Sequence, residues 1–203
     1  MTDSTEIEKT IQVYEELAED YCKAHSDIAE IKNIADNFLK KLKGKKVLDI
    51  GCGPGRDAKY FSENGLEVTG IDLTSSFVEI ASQNAPKAKF IKMDMRKLEF
   101  PENTFDGIWA CASFLHIPKK DAKNTLLEFR RVLKPKGLLY LSVKQGTEEK
   151  FVKKEEYKGR FKFFAFYTED EFKDLIKSRN FKILEKVIDE KRDLWVNIFA
   201  IKE

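Results

Sequence analysis

Chemistry is concentrated in the stretch Val47 to Gly55, VLDIGCGPG, where a short apolar run closes on glycines at positions 51, 53 and 55. Helical spacing resumes at Arg56 and runs to Glu63. Strand, glycine turn and helix in that order make a junction that grips a ligand, because glycine lets the backbone bend tightly and come close to a bound molecule. The spacing is GxGxG, whereas a dinucleotide fingerprint reads GxGxxG and needs its third glycine at position 56, which is Arg56. That favours a ligand without a pyrophosphate; a tight turn with no ligand is the bland alternative. Asp72 stands seventeen residues beyond Gly55, at the end of a β-type run. A carboxylate there can accept hydrogen bonds from both hydroxyls of a ribose. It can also merely cap the next helix, a task equally open to Thr74, or to Ser76 with Glu79. Asp94 beside Met95 joins an acceptor for an exocyclic amine to a soft side chain that packs on a ring, which are the needs of an adenine. Otherwise Asp94 opens a turn and Met95 joins the core. His116 is one of two histidines. It suits proton removal from an attacking oxygen, nitrogen or sulfur; orienting the following helix through a backbone hydrogen bond is the competing role.

Such residues need strand ends to hold them. Apolar positions Ile7, Ile11, Tyr14, Leu17, Ala18 and Tyr21 recur three or four apart and predict a helix over 7–22. A second is expected over 28–42, stopped at Gly44. Strands are expected at 47–50, 66–71, 89–93, 105–111 and 138–143, with helices after Gly55, around Phe77 and over 122–133. Lys134 to Gly137 reads as a turn, and Thr168 with Glu171 as the capping box of a last helix. Two strands, 181–188 and 195–201, close the chain across a short charged connection. Alternating strands and helices imply a mainly parallel sheet with helices on both faces. The closing pair lacks a helix and must be an antiparallel hairpin. A sheet of this kind binds ligands at the carboxyl ends of its strands, where strand order reverses. That gathers the glycine loop, Asp72, Asp94 and the stretch Cys111 to His116 around one crevice.

The 203 residues suit one domain with a proper core, and 42% apolar against 35% charged residues suits a soluble globular protein. With 37 basic and 35 acidic residues the net charge is +2, too small a field to recruit nucleic acid or an anionic membrane. Met1 to Lys9 lacks an apolar signal core, and no stretch approaches the ~18 apolar residues of a membrane span. Cys22, Cys52 and Cys111 match no zinc or CxxC spacing. A reduced, cytoplasmic protein is expected, with no bound metal.

VLDIGCGPG, VTGIDLT, FIKMDMRKLEFPENTFDGIWA and EFRRVLKPKGLLYLS together resemble, in order and separation, the class I S-adenosylmethionine-dependent methyltransferases, especially their small-molecule branch. The resemblance covers about Tyr14 to the C-terminus. It implies an α/β, Rossmann-like three-layer αβα sandwich whose seven-stranded, mostly parallel sheet has the order 3-2-1-4-5-7-6 with strand 7 antiparallel. The implied cofactor is S-adenosyl-L-methionine. Gly51, Cys52 and Gly53 are then expected against its amino-acid part, Asp72 and Leu73 on the ribose, and Asp94 with Met95 on the adenine. Asp49 matches the motif's acidic position, which orients the loop or the cofactor's amine. VYEELAEDY resembles the family's helical lid, in which a tyrosine reaches the cofactor carboxylate. Tyr14 is the first candidate and Tyr21 the second, each competing with an ordinary core position. Arg56 is a candidate for the same carboxylate or for a surface salt bridge. After strand four, where the family places residues facing sulfonium and substrate, stand Cys111, Phe114 and His116. Cys111 follows Ala110 at a strand end and reads as a small buried residue. The Asn/Asp-Pro-Pro-aromatic and Pro-Cys motifs of nucleic-acid-methylating enzymes are absent there.

Recognition of the methyl acceptor falls to what remains, chiefly Lys144 to Tyr167, long for a connection in such a sheet. It carries seven Lys or Arg, four Glu and seven aromatic residues. A lid of aromatic walls and cations is expected, with Arg160 facing an apolar or anionic substrate. The alternative is that Phe161, Phe163 and Tyr167 cover the sheet edge while the lysines stay solvated. The expected organisation is a single domain over 1–203, with a helical lid at 1–43 and a substrate-side loop at 144–167. The expected activity is in-line methyl transfer to an O, N or S nucleophile of a small molecule. A non-catalytic cofactor-binding protein and an RNA- or protein-methylating enzyme are the alternatives; acidic residues within 144–167 weaken the RNA case.

Overall fold

The structure, a computed structural model, describes residues 5–189 and 195–203, with 187–189 described by their backbone alone. Residues 1–4 of the polar N-terminus and the charged connection at 190–194 lie outside the described residues. Among the described residues nine strands form in chain order: β1 (Lys46–Ile50), β2 (Glu67–Asp72), β3 (Lys89–Lys92), β4 (Phe105–Ala110), β5 (Leu133–Lys144), β6 (Glu149–Lys153), β7 (Phe161–Ala165), β8 (Phe181–Asp189) and β9 (Trp195–Lys202). Seven of them make one sheet of order β3-β2-β1-β4-β5-β9-β8, parallel except where β9 runs against both neighbours. This is the expected topology, β8 and β9 being its sixth and seventh strands.

The helices are α1 (Glu6–Glu16), α2 (Ala18–Ala24), α3 (Lys32–Lys41), α4 (Arg56–Glu63), α5 (Ser75–Asn84), α6 (Lys119–Val132) and α7 (Glu169–Lys177). Side chains alternate across a strand, so β1 feeds two cores. Leu48 and Ile50 pack with Leu126 and Phe129 of α6 and Phe172 of α7 on one face. Val47 packs with Phe38 of α3 and Phe61 of α4 on the other. In that second layer Trp109 of β4 lies 5.2 Å from Phe38, 5.0 Å from Phe61 and 4.0 Å from Tyr140, centroid to centroid. Such pairs add about 0.5–1.5 kcal/mol each beyond their buried area. The register of β1 with β2 pairs Ile50 with Ile71, and Asp72 of β2 pairs with Lys92 of β3. Strand ends are thereby levelled, and the turns after β1, β2, β3 and β4 share one edge.

Four local expectations are corrected. The helix over 7–22 breaks at Leu17 (φ −116°, ψ 15°), so α2 leaves α1 at an angle that brings Tyr21 against the Tyr14 ring. The helix over 28–42 starts only at Lys32. The turn at 134–137 is absorbed into β5 as an irregularity, where Phe105 pairs with Leu133 but Gly107 already pairs with Leu138. The connection 144–167 is not a loop: β6 and β7 pair antiparallel as a ribbon that packs on α1. Thr168 caps α7 as expected, its hydroxyl accepting from the Glu171 amide at 3.2 Å.

Candidate active site

A cavity opens at the levelled strand ends, and the sequence candidates Gly51, Gly53, Asp72, Leu73, Asp94, Met95, Cys111, His116, Tyr14 and Tyr21 all line it. Gly51 has φ +68°, and a Cβ there would lie 2.3 Å from Ser113 Cβ, so neither backbone nor space admits a side chain. Ser113 donates its hydroxyl to the Ile50 carbonyl at 2.6 Å, tying the loop after β4 to the end of β1. Gly53 faces the other way: the nearest atom to a Cβ would be a Tyr21 ring carbon at 4.0 Å. Its bare backbone therefore borders the cavity.

Asp72 organises this loop. Its Oδ2 accepts from the Gly53 amide at 3.0 Å and its Oδ1 from the Thr74 amide at 2.9 Å. Burial pushes its pKa up, with those two bonds opposing the shift. Each carboxylate oxygen has two acceptor sites, so both remain able to take a hydroxyl. Asp94 accepts from the Arg96 amide at 2.8 Å and pairs with the Arg96 guanidinium at 2.6 Å. It thus opens a turn and lines the cavity at once.

Three candidates stand off the cavity while shaping it. Asp49 projects to the α4 face, 2% exposed, and its Oδ2 has no partner among the described residues. Burial, and after it the neighbouring Asp57, push its pKa well up. Arg56 is taken by Asp57 at 2.6 Å, and Asp57 also receives the Trp109 indole N–H at 2.8 Å. Cys52 is turned beneath the loop: its amide binds the Ile71 carbonyl, and its Cβ would sit 3.0 Å from a Cβ on Gly70. The Cys111 thiol, pushed up to about 12 chiefly by burial, stays protonated at neutral pH.

Two candidates are corrected outright. Phe114 does not face the cavity; the 3-10 turn Phe114–His116 sends it inward against Phe129, Tyr167 and Phe172 while His116 points out. Arg160 is absent from the cavity wall and forms an ion pair with Glu16 on the outer side of α1. Of the aromatic residues expected at the sheet edge, Phe163 and Tyr167 are buried, whereas Phe161 is 51% exposed.

His116 has its tautomer set by the fold. Nδ1 lies 2.7 Å from the Phe163 carbonyl, which can only accept, so Nδ1 carries the proton. Nε2 is then the lone-pair nitrogen, and it receives the Tyr14 hydroxyl at 2.9 Å. Burial, with the Lys162 and Lys144 charges adding to it, lowers His116 to about 3, while the Phe163 bond works against that shift. The imidazole is neutral at every ordinary pH.

A latch that no spacing announced holds the lid. Glu15 of α1 accepts from the Ser75 and Ser76 amides at 2.5 and 3.0 Å and from the Ser76 hydroxyl at 2.6 Å, capping α5 from another element. Burial raises the Glu15 pKa, but these bonds outweigh it and hold the carboxyl below its usual range. Its contribution is therefore complete above about pH 4.3 and lost as pH falls through the lower folded value. Glu15→Gln is expected to weaken the latch by about 1 kcal/mol, read as faster amide exchange in α1 with the central strands unchanged. Phe77 also lines the cavity, 5.5 Å from Tyr14 and 5.2 Å from Tyr21. Only its apolar place in the first turn of α5 hinted at it.

Known proteins share the fold that carries this site. A family model described as a methyltransferase domain matches residues 47–137. The chain is similar to phosphoethanolamine N-methyltransferase of Plasmodium falciparum, 29% identical over 203 residues that take in 95% of this chain and 73% of that protein. It is similar to 27-O-demethylrifamycin SV methyltransferase of Amycolatopsis mediterranei, 37% identical over 105 residues, or 48% of this chain and 38% of that one. Among solved structures, 1,6-didemethyltoxoflavin-N1-methyltransferase of Burkholderia thailandensis, with S-adenosylhomocysteine bound, matches with a TM-score of 0.76 at 21% identity, covering 96% of this chain and 87% of that one. With the sheet order and the glycine loop, these matches give the chain a methyltransferase domain over 47–137 and the fold of the class I S-adenosylmethionine-dependent methyltransferases. It is an enzyme of that class, and its methyl donor is S-adenosylmethionine.

Proposed function

We propose that this enzyme methylates an oxygen, nitrogen or sulfur nucleophile of a small molecule seated beside His116. The observation that carries the reading is the sharing of one cavity by the glycine loop, the Asp72 and Asp94 carboxylates and the His116 lone-pair nitrogen. The three relatives described above act on unrelated small molecules, which supports the acceptor's size class without choosing its identity.

The residues fit the donor. Gly53, at φ +52° with open space where a Cβ would stand, offers bare backbone to the cofactor, and Asp72 keeps acceptor capacity on both oxygens for a ribose. Leu73 would flank that sugar, and Asp94 with Met95 would hold the adenine. Asp49 lies beneath the loop after β1, beside Asp57 at the start of α4 and off the cofactor's side. When bound, S-adenosylmethionine supplies a methyl group already activated on a sulfonium, so the protein need only align, exclude water and manage a proton. Tyr14 and Tyr21, with Phe77, exclude water from the lid side. With its pKa at about 3, His116 Nε2 accepts a hydrogen bond from the acceptor's nucleophile once Tyr14 gives up its bond there and takes the proton only as methyl transfer makes that group acidic, while Phe163 keeps the ring oriented. The lid helices within 5–43 and the ribbon within 144–167 belong to this one catalytic unit.

Incubation with methyl-labelled S-adenosylmethionine and a panel of small amines, alcohols, thiols and acids tests the reading. Label transfer to at least one small molecule, with none to RNA or protein, is the expected result. Transfer confined to RNA or protein would overturn it.

A further inference from the structure

Lys162 of β7 is only 4% exposed, yet the methyl-transfer site as described gives it nothing to do. Its ammonium sits 3.7 Å from the Tyr157 ring centroid, 4.2 Å from that of Tyr14 and 5.6 Å from that of Tyr21. Among the described residues no carboxylate lies within ion-pair distance of it; Glu156 acts only from further off, and Lys154 and Lys144 add like charge. Ring faces attract a cation, but they do not accept hydrogen bonds as an oxygen does, and an ammonium has three donors. Lys202 shows how this fold treats a buried lysine with a structural job. At 9% exposure it gives its ammonium to Asn103 Oδ1 at 2.8 Å and to the Leu133 carbonyl at 2.6 Å. Among the described residues Lys162 has no such acceptor, although its ammonium is not one of the fully enclosed unpartnered atoms. A buried charge in that condition is costly, and burial lowers its pKa to about 7.

Position tells what the cost is for. Two of the three rings around the ammonium, Tyr14 and Tyr21, are walls of the cavity; Lys162 stands behind them and not in the lining, so an acceptor reaches it where those rings turn aside. The next residue, Phe163, holds His116 Nδ1 through its carbonyl and donates its amide to the Thr10 hydroxyl of α1. One strand therefore carries, on adjacent residues, the ammonium and the group that orients the histidine. Resting on the small-molecule reading above, we propose that Lys162 binds an oxyanion of the methyl acceptor, a carboxylate or a phosphoryl group, so that the acceptor spans from this ammonium to His116. A purely cationic acceptor would meet repulsion there, and an uncharged one would leave the ammonium without acceptors.

The test reads Lys162 directly. In the full chain with lysine labelled at Cε and Nζ, the Lys162 ammonium is titrated by NMR alone, with inorganic phosphate and with acetate. Either anion should stabilise the charged form and move its pKa up by more than one unit. Phosphate acting well below the acetate concentration indicates a phosphoryl acceptor, and the reverse a carboxylate. Lys162→Met should weaken the bound anion at least tenfold, while Lys162→Arg retains most of the affinity. A Lys162 signal indifferent to both anions overturns the proposal, even if the Met variant does not fold. S-adenosylhomocysteine affinity, measured by calorimetry on the same sample, reports separately on the methyltransferase reading.

Discussion

Asp72→Ala is expected to weaken S-adenosylhomocysteine binding by about 100-fold or more. Hydrogen bonds to a charged group contribute about 1.5–3 kcal/mol each, so losing two to a ribose is enough. The substitution also removes the acceptor of the Gly53 and Thr74 amides, which loosens the loop as well as the ligand contact. Asp72→Asn separates the two effects: it keeps an acceptor for Gly53 and sheds the charge, so an intermediate loss is expected. Stability should move the opposite way. Burial raises the folded pKa of Asp72 above its unfolded value, so the folded chain binds the proton more tightly and loses stability as pH rises through that window. At neutral pH the Asn variant should therefore melt no lower than the parent, a trade common at functional sites. Calorimetry beside a thermal melt checks both halves. Folded Asp72→Ala protein that binds the ligand within threefold of the parent would remove Asp72 from the site.

His116→Gln is expected to lower kcat by about 10²–10³, the usual contribution of a positioned base, with cofactor affinity little changed. Glutamine can still donate to the Phe163 carbonyl, so a merely orienting histidine would survive the exchange with near-parental turnover. The pH profile adds a second reading. With His116 lowered to about 3, chiefly by burial, kcat/KM should show no acid limb from it between pH 5 and 7. Lys162, at about 7, should supply an alkaline limb for an anionic acceptor, because its charge is present below that value and lost above it. An unfolded lysine titrates near about 10.4, so the unfolded chain holds the extra proton between those values and stability climbs with pH across the same range. Activity falling while stability rises is the signature, and Lys162→Met should flatten both curves.

Residues set by local backbone rules were legible from the chain alone. The GxGxG turn, the carboxylates at the ends of β2 and β3 and the closing hairpin follow from glycine conformation, strand alternation and the missing crossover helix. Each depends on neighbours a few positions away, and each stands where expected. Phe114 and Arg160 were misjudged for a common reason. Sequence position put them beside the crevice, but the direction of a side chain in a 3-10 turn or at the start of a ribbon depends on what the element packs against. The long connection hid its strands because the aromatics within 144–167 do not alternate cleanly with polar residues; burial along β7 runs unbroken from Lys162 to Ala165.

VLDIGCGPG and its following carboxylates thus determined the cofactor, since the turn and its strand are a local unit that carries its own geometry. Tertiary structure alone decided how the acceptor's side of the cavity is built. Tyr14 meets His116 across 102 positions, Glu15 caps α5 across 60, and Lys162 is enclosed by rings from α1, α2 and the turn before β7. No periodicity records those meetings. They exist because the ribbon β6–β7 and the lid helices bury one surface together, and only the packing of that surface selects which side chains are left facing in.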